Sequence, residues 1–537
     1  MNIKQVHTKD KNLIKNLYKK MKIVGFQSGH DVSYCILENG IPIIHEEEER
    51  FTRTKMKIGD GLDFFFSRVK DFSDIKHFSL GNFGALNAKD HSIEGNPEKM
   101  YDILQKSGGE FYNLPHHTCH AANAFFTSNF EKSLIITIDG GGWENYDGPT
   151  AVCVFNGNDN KIEKIKSYGI NDLNFGHIWY RVTSQVFNLS VGYPKGDQSG
   201  TVMAMGSMGE PKYTHLFNNT DADLLRLQQI INISEQEKFN VAASLQKHTE
   251  DLFLQHFSEF LSNPDVENLC VSGGVSLNCV LMGKIKSWFP NIKNIFCDPV
   301  PYDSGLSLGS ARYLWHHILE NPRIYNNEKN TSPYLGVKYD EKTILNSLEL
   351  FECSVNYETS TDEQVLDKLL DQKIISVFGG GSESGRRALG NRSILADPRN
   401  PEMKDIINHK VKHRQWYRPF APSILQEKVN EWFDEYCESP YMSFALKFKN
   451  EVQDLVPAVV HYDGTGRIQT VTESSNKWYY NFIKKWENIT NVPIILNTSF
   501  NDTEPIVETP TDAIKCFLNT NIDYLYFYDF GLLISKK

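Results

Sequence analysis

His116-His117-Thr118-Cys119-His120 sets two histidines, His116 and His120, four residues apart. On a helix that spacing puts both imidazoles on one face, where they can bind one transition metal. Pro115 precedes them, and proline is favoured at the first helical position, so both histidines are expected on the opening turns. Asp139 ends the apolar run Ser133–Ile138, and ligand-binding groups collect at the carboxyl ends of strands in α/β sheets. It is a candidate third ligand. Asp303, in Tyr302-Asp303-Ser304-Gly305, lies on another glycine-containing loop and is a candidate fourth. Mixed histidine and carboxylate ligation suits iron, zinc or manganese. The plain alternative is histidines satisfied by hydrogen bonds.

The glycines after Asp139, Gly140 and Gly141 foremost, let a backbone approach a phosphate and offer N–H groups to it. Gly273 and Gly274 stand between a short strand and a helical segment, in Ser-Gly-Gly-Val-Ser-Leu-Asn ending at Asn278. That turn suits a nucleotide's sugar or base edge, with Asn278 as a further contact, although a tight strand–helix turn needs the same glycines. His30 precedes Asp31 in a glycine-containing turn. Its ordinary pKa lies near neutrality, as a general base acting on a hydroxyl requires.

A second group of residues reverses the sign of the chain locally. Arg386, Arg387 and Arg392 crowd around Gly385 and Gly390, followed by Lys410, Lys412, His413, Arg414 and Arg418. Arginine forks match phosphate oxygens, and a lysine adds a point charge. The expected partner is a small phosphorylated substrate or a triphosphate; surface salt bridges are the alternative. Arg467 sits in Asp-Gly-Thr-Gly-Arg. Ser499 and Asn501 follow the buried run Val492–Asn497, which would bring them to a pocket at that strand's end. Either could instead cap a turn.

These residues need a scaffold, and the patterning supplies one. Lys22–Phe26, Val32–Leu37 and Ile41–His45 read as strands, the last two joined by a tight Asn39-Gly40 hairpin turn. Glu46–Glu49 reads as a solvated edge or helix start. Leu269–Val271 and Lys373–Phe378 read as further short strands, Phe175–Leu189 has helical spacing, and a helix is expected from Val275. Short apolar strands alternating with helices predict an α/β fold. The polar segment Asn321–Pro333, with two prolines, suggests a connection. The expected division is a Lys-rich extension at 1–20, a first domain at 21–335 and a second at 336–537.

The 537 residues carry 56 Lys+Arg and 67 Asp+Glu, a formal charge of −11, which argues against a general nucleic-acid binder. No apolar run approaches the ~20 residues of a membrane helix. Nine cysteines without a CxxC pair predict free thiols and a reducing cytoplasm.

Taken in order, the segments SGHDVSYCILENG, EEEERFTR, HHTCHAANAFF, IDGGG, SGGVSLNCV, YDSGLSLG, RALGNRSILADPRNP, VKHRQWYRPFAPSIL, DGTGRIQTV and ILNTSFND resemble the bacterial O-carbamoyltransferase family, of the nodulation-protein and tobramycin-carbamoylase type. The likeness runs over nearly the whole chain after about residue 21. It implies a first domain of the actin/Hsp70/sugar-kinase, threonylcarbamoyl-transferring kind and a second, twisted α/β domain that forms carbamoyl-adenylate. It implies carbamoyl phosphate, ATP with Mg²⁺ and a small hydroxylated acceptor as partners, with iron or another transition metal in the first domain. It implies no nucleic acid or membrane, and leaves a homodimer open. His116, His120, Asp139 and Asp303 match the metal ligands, and His30 a histidine near the acceptor. Arg387, Lys412, Arg418, Arg467 and Ser499 match residues that hold carbamoyl phosphate and ATP. Loops at 80–112 and 190–215 are expected to shape the acceptor site.

The sequence departs from the family in two segments. Relatives usually read Gly-Arg-x-Glu-Phe-Gly-Pro-Arg-Ala-Leu-Gly, where this chain has Gly381 for the first arginine and Arg386 for the proline. Arg386 is expected to restore the lost charge. Thr201 stands where relatives usually carry lysine. Two other readings stay open: a tRNA threonylcarbamoyl-type modification enzyme and a non-catalytic nucleotide-binding protein.

Overall fold

The computed structural model describes residues 21–81, 107–145 and 148–537. The 1–20 extension and most of the 80–112 loop lie outside the described residues. Strands β1 (Lys22–Gln27), β2 (Ser33–Glu38), β3 (Ile41–Glu47), β4 (His77–Leu80) and β5 (Glu110–Asn113) form one sheet in the order β3-β2-β1-β4-β5. β2 and β3 are antiparallel additions, whereas β1, β4 and β5 run parallel. Strands β6 (Lys132–Asn145), β7 (Gly148–Asn158), β8 (Lys161–Gly169), β9 (Asn268–Ser272) and β10 (Asn294–Cys297) form a second sheet in the order β10-β9-β6-β7-β8. Read from its other edge, the second sheet repeats the order and strand directions of the first. This doubled module is the actin/Hsp70/sugar-kinase-like architecture that the resemblance implies.

The central strand β1 is apolar on both faces, with Ile23, Val24 and Phe26 fully buried, because helices cover both sides. Asn39 and Gly40 take φ of 53° and 82°, the left-handed pair that a two-residue hairpin requires. Helices His116–Thr127 and Leu306–Tyr313 pack together. Gly309 permits their close approach: a Cβ there would lie 2.0 Å from the Cys119 carbonyl oxygen.

The third sheet contains β11 (Val355–Thr359), β12 (Ile375–Phe378), β13 (Arg392–Ala396), β14 (Ala421–Leu425), β15 (Phe444–Lys447), β16 (Thr465–Val471), β17 (Ile494–Ser499), β18 (Tyr524–Phe527) and β19 (Leu532–Lys536). Its order is β11-β19-β18-β12-β13-β17-β14-β16-β15, mixed in direction. Edge strand β15 is covered by helix Cys279–Trp288, whose Gly283 would place a Cβ 2.1 Å from the Ala445 carbonyl oxygen. One apolar core runs from Leu134 and Val271 through Leu281 to Phe444 and Ile534. The protein is thus α/β throughout, and its sheets share buried surface.

Several local expectations are corrected. β6 does not stop at Ile138: pairing with β7 resumes at Gly142, so Asp139-Gly140-Gly141 is an irregularity within a longer strand. Pro115 is the N-cap, and His116 begins the helix. The segment after Gly273 is a 3₁₀ turn over Gly274–Leu277, and the α-helix starts at Cys279 because Asn278 caps it there. The helical reading of 175–189 holds as far as Val186, as an α-helix, Phe175–Arg181, that continues in a wider π turn, Val182–Val186. Of the two readings of Glu46–Glu49, the helix start holds, since helix Glu48–Thr52 begins within it, and the solvated edge does not, since Glu46 and Glu47 are buried. Glu46 pairs with Arg68, and Glu47 accepts from the Gly385 N–H at 2.8 Å.

Candidate functional site

The entire helix His116–Thr127 is buried, which fixes the histidines it carries. Glu144 accepts from the Thr118 N–H and hydroxyl at 3.0 and 2.6 Å, placing a carboxylate at the helix N-terminus. Gly142 makes room for the first ring: a Cβ there would lie 2.1 Å from His116 Cγ. His116 Nε2 and His120 Nε2 then approach Asp139 Oδ2 at 3.4 and 2.9 Å, and Asp303 Oδ1 at 3.8 and 3.6 Å. The four ligand atoms lie within 4.8 Å of one another.

Two carboxylates and two imidazoles this close need positive charge between them. In the protein alone, protons supply it. Burial by itself would lower the His120 pKa, but Asp139 and Asp303 raise it to about 10. Burial by itself would raise that of Asp139, but hydrogen bonds from His116 and His120 hold it well below its ordinary value. A divalent cation could replace those protons, so the donor set fits a transition metal. The Nδ1 atoms of His116 and His120 are buried without partners among the described residues. His117 differs: Thr137 Oγ1 and the Thr150 carbonyl occupy its two nitrogens at 2.9 and 2.8 Å, and its pKa is pushed down to about 3, chiefly by burial. It is the hydrogen-bond-satisfied core histidine of the trio.

His30 lies beside this cluster. Its Nε2 is 3.4 Å from Asp303 Oδ2, and its Nδ1 is 3.0 Å from Asp31 Oδ2. The charge of Asp303 is the main cause of a pKa raised to about 10. Gly140 and Gly141 are exposed at the same edge, with Gly141 at φ 145°. Gly273, at φ 89°, passes close to Ile138, and a Cβ on Gly274 would be 3.2 Å from Asp139 Oδ1. The two glycine pairs therefore flank Asp139. Asn278 is committed internally: Oδ1 accepts from the Leu281 N–H and Nδ2 donates to Gln246 Oε1.

The second constellation also converges. Lys412 Nζ donates to the Ser499 carbonyl and Oγ and to the Asn501 carbonyl and Oδ1, at 2.6 to 3.2 Å. Arg387 reaches the Leu277 carbonyl at 3.4 Å. Arg414 is held by Asn408 Oδ1 and the face of Phe420. Among the described residues, none of Arg387, Lys412, Arg414, Arg418 and Arg467 has a carboxylate within ion-pair distance. Burial and mutual repulsion instead push their pKa values down. Arg387 falls to about 9 and Arg418 to about 10, with Arg467 the leading charged neighbour of both. Lys412 and Arg414 fall well below their ordinary values, with burial the first cause and neighbouring arginines next. Among the described residues, several cations are thus gathered without counter-charge, an arrangement that favours an anion.

Sequence reasoning missed the parts that hold these groups. Glu383 Oε1 accepts from the Leu389, Asn391 and Arg392 N–H groups at 2.7, 2.7 and 3.1 Å and shapes the loop before β13. Its signal in the sequence was its match to the glutamate of the Gly-Arg-x-Glu pattern. Arg50 donates to the Glu383 and Gly385 carbonyls at 3.0 and 2.7 Å. Lys55 lies near Arg418, Arg386, Glu49 and Asp502, so the first half adds a cation to this region. Arg386 pairs with Asp31 at 3.2 Å. Gly381 is crowded, since a Cβ there would meet the Gly336 carbonyl oxygen at 2.8 Å. Thr201 is buried, with its hydroxyl unpartnered among the described residues.

The doubled α/β module thus carries the His/carboxylate cluster, and the third sheet, with its loops, carries most of the cation cluster. The chain matches the family models described as carbamoyltransferase N-terminus, over residues 98–229 and 215–312, and carbamoyltransferase C-terminus, over 366–534. It is 34% identical to nodulation protein NolNO of Sinorhizobium fredii, over 95% of this chain and 79% of that protein. Nodulation protein NolO of Bradyrhizobium diazoefficiens is also 34% identical, over 79% of each chain. The uncharacterized protein sll1178 of Synechocystis is 29% identical over 94% of this chain and 95% of its own. The chain belongs to the carbamoyltransferase family. Among solved structures, HypF of T. kodakarensis aligns with a TM-score of 0.35 at 14% identity, over 56% of this chain and 49% of that one. No helix among the described residues is long and apolar enough to cross a membrane, and all nine cysteines are free.

Proposed function

We propose that this carbamoyltransferase activates carbamoyl phosphate with ATP to carbamoyl-adenylate at the cation cluster and transfers the carbamoyl group to a hydroxyl at the His/carboxylate site. The acceptor class is a small metabolite, sugar or natural product. The observation that carries this reading is the gathering of Arg387, Lys412, Arg414, Arg418 and Arg467 with depressed pKa values and, among the described residues, no carboxylate partner. Such a pocket suits the phosphates of ATP and carbamoyl phosphate, with Mg²⁺ accompanying the triphosphate.

The balance of atoms needs one water. Hydrolysis of carbamoyl phosphate leaves carbamate and phosphate; a carbamate oxygen attacks the α-phosphorus of ATP, and pyrophosphate leaves. In the second step the acceptor oxygen attacks the carbamoyl carbon and AMP leaves; the hydroxyl proton departs with the AMP phosphate, and His30, held protonated beside Asp303, orients the acceptor hydroxyl. His116, His120, Asp139 and Asp303 would hold iron or another transition metal, which as a Lewis acid stabilises charge on carbonyl or phosphate oxygens. Gly140, Gly141, Gly273 and Gly274 give the adenylate's phosphate and ribose close backbone approach. Lys412, oriented by Ser499 and Asn501, joins Arg387, Arg418 and Arg467 in binding the phosphates. Nine free thiols suit a reducing cytoplasm.

The test is to incubate the protein with ATP, Mg²⁺ and carbamoyl phosphate without acceptor, and to follow pyrophosphate and AMP. Release that requires carbamoyl phosphate is expected. A folded, metal-loaded protein that releases none, with or without hydroxylated acceptors, would sink the adenylate reading.

A further inference from the structure

The loop from Ser382 to Arg387 belongs to the second half of the chain but is clamped on the first. Gly385 donates to Glu47 and accepts from Arg50, and a Cβ on it would meet the Pro299 carbonyl oxygen at 2.3 Å. Its φ of 95° is one that glycine adopts freely. Two consecutive arginines leave this anchored point for different sites. Arg387 turns to the Leu277 carbonyl and the cation cluster. Arg386 turns to the transfer site, where its Nη2 donates to Asp31 Oδ1 at 3.2 Å and its guanidinium lies over the Tyr302 ring at 4.3 Å.

Asp31 is buried, at 5% exposure, and uses its second oxygen on His30 Nδ1 at 3.0 Å. The far side of that ring faces Asp303. An exposed imidazole rotates freely about its side-chain bonds, whereas one tied to a fixed carboxylate holds a single orientation. What fixes the carboxylate here is an arginine from the other half of the molecule.

We propose that Arg386 is a positioning residue for transfer: by holding Asp31 it sets the orientation of His30, so one loop arranges the nucleotide pocket through Arg387 and the acceptor-site histidine through Arg386. The role of His30 in this statement rests on the function proposed above; the orientation of its ring does not.

The test compares wild type with Arg386→Gln, Arg386→Lys, Asp31→Asn and the double variant R386Q/D31N. Two rates are read: carbamoyl-phosphate-dependent pyrophosphate release, and methyl carbamate formed with methanol as a hydroxyl probe. R386Q is expected to keep pyrophosphate release within about twofold and to lose about tenfold in methyl carbamate, an effect on the transfer kcat rather than on the KM for carbamoyl phosphate. R386K should recover part of the loss. D31N should match R386Q, and the double variant should lose no more than either, as members of one unit do. Unchanged methyl carbamate in R386Q, or an equal loss in both rates, overturns the proposal. Crystal structures provide a readout independent of the chemistry. The His30 ring should meet Asp31 in wild type and swing away in R386Q; a ring that stays in place also overturns the proposal. Wild type that releases no pyrophosphate would remove the adenylate reading and leave this structural test intact.

Discussion

Lys412 donates to oxygens of Ser499 and Asn501, all neutral, while Arg414 and Arg418 press on it with like charge. A cation so placed is destabilising until an anion arrives. The sign follows from the depressed pKa values: the folded protein holds these protons less tightly than the unfolded chain. Stability is therefore withheld below the folded pKa values, about 9 for Arg387 and about 10 for Arg418, and recovers as pH rises beyond them. Near pH 8 the bound polyanion should supply what is missing. Pyrophosphate or ATP at one hundred times its Kd should stabilise the wild type by about 2.7 kcal/mol, read as a rise in Tm. Lys412→Ala should blunt that rise and lower carbamoyl-phosphate-dependent pyrophosphate release by about 10²–10³-fold. An unaltered ligand response in the variant would show that Lys412 does not face the anion. For the first site, His120→Ala should lower transition-metal affinity at least ~10-fold, read by elemental analysis of dialysed protein. Full metal content would reject the ligand assignment.

At the scale of elements, the metal-ligand candidates depend on close packing around one buried helix. Gly142→Ala would push a methyl into the His116 ring, whose Cγ would lie only 2.1 Å away. It should cost about 1–3 kcal/mol and lower bound metal, whereas Gly140→Ala, with open space around its Cβ position, should do neither. Loop Asp298–Asp303 gives a pH-dependent test. Asp298 is buried, accepts from Asn123, Ser272 and the Val300 N–H, and has its pKa raised to about 6, mainly by burial. A carboxyl with a raised folded pKa loses stability as pH climbs from its unfolded value near 4 to about 6. The loss is of order 3 kcal/mol, from about two pKa units. Asp298→Asn should flatten that pH window in thermal melts; an identical pH profile in the variant would refute the assignment. The sequence made β1–β3, the Asn39-Gly40 turn and the His116/His120 face legible because their signals are local periodicity and spacing. It hid the continuation of β6 beyond Asp139, since a bulge shows itself only through the β7 register. In Glu46–Glu49 the helix start was legible, but the burial of Glu46 and Glu47 was not, because Arg68 and Gly385 arrive from elsewhere in the chain.

The whole molecule is held by contacts that no half could make alone. Helix Cys279–Trp288 covers the β15 edge, the apolar core is continuous from the second sheet into the third, and Arg50 is buried with its fork on the 383–385 loop. If either half unfolded, the other would expose the edge of β15 or the apolar face of the helix, and Arg50 would lose the 383 and 385 carbonyls that hold its fork. Each loss is of the kind that costs several kcal/mol. The two halves should therefore unfold together. Calorimetry of the full chain without ligands is expected to give one main transition, with van't Hoff and calorimetric enthalpies in agreement. Arg50→Ala should lower that transition while keeping it single, because the apolar seam remains. The same variant should weaken pyrophosphate release, since the loop that Arg50 anchors carries Arg387. Two resolved transitions in the wild type would mean that the seam is too weak to couple the halves; the clamped loop could then not serve both sites at once.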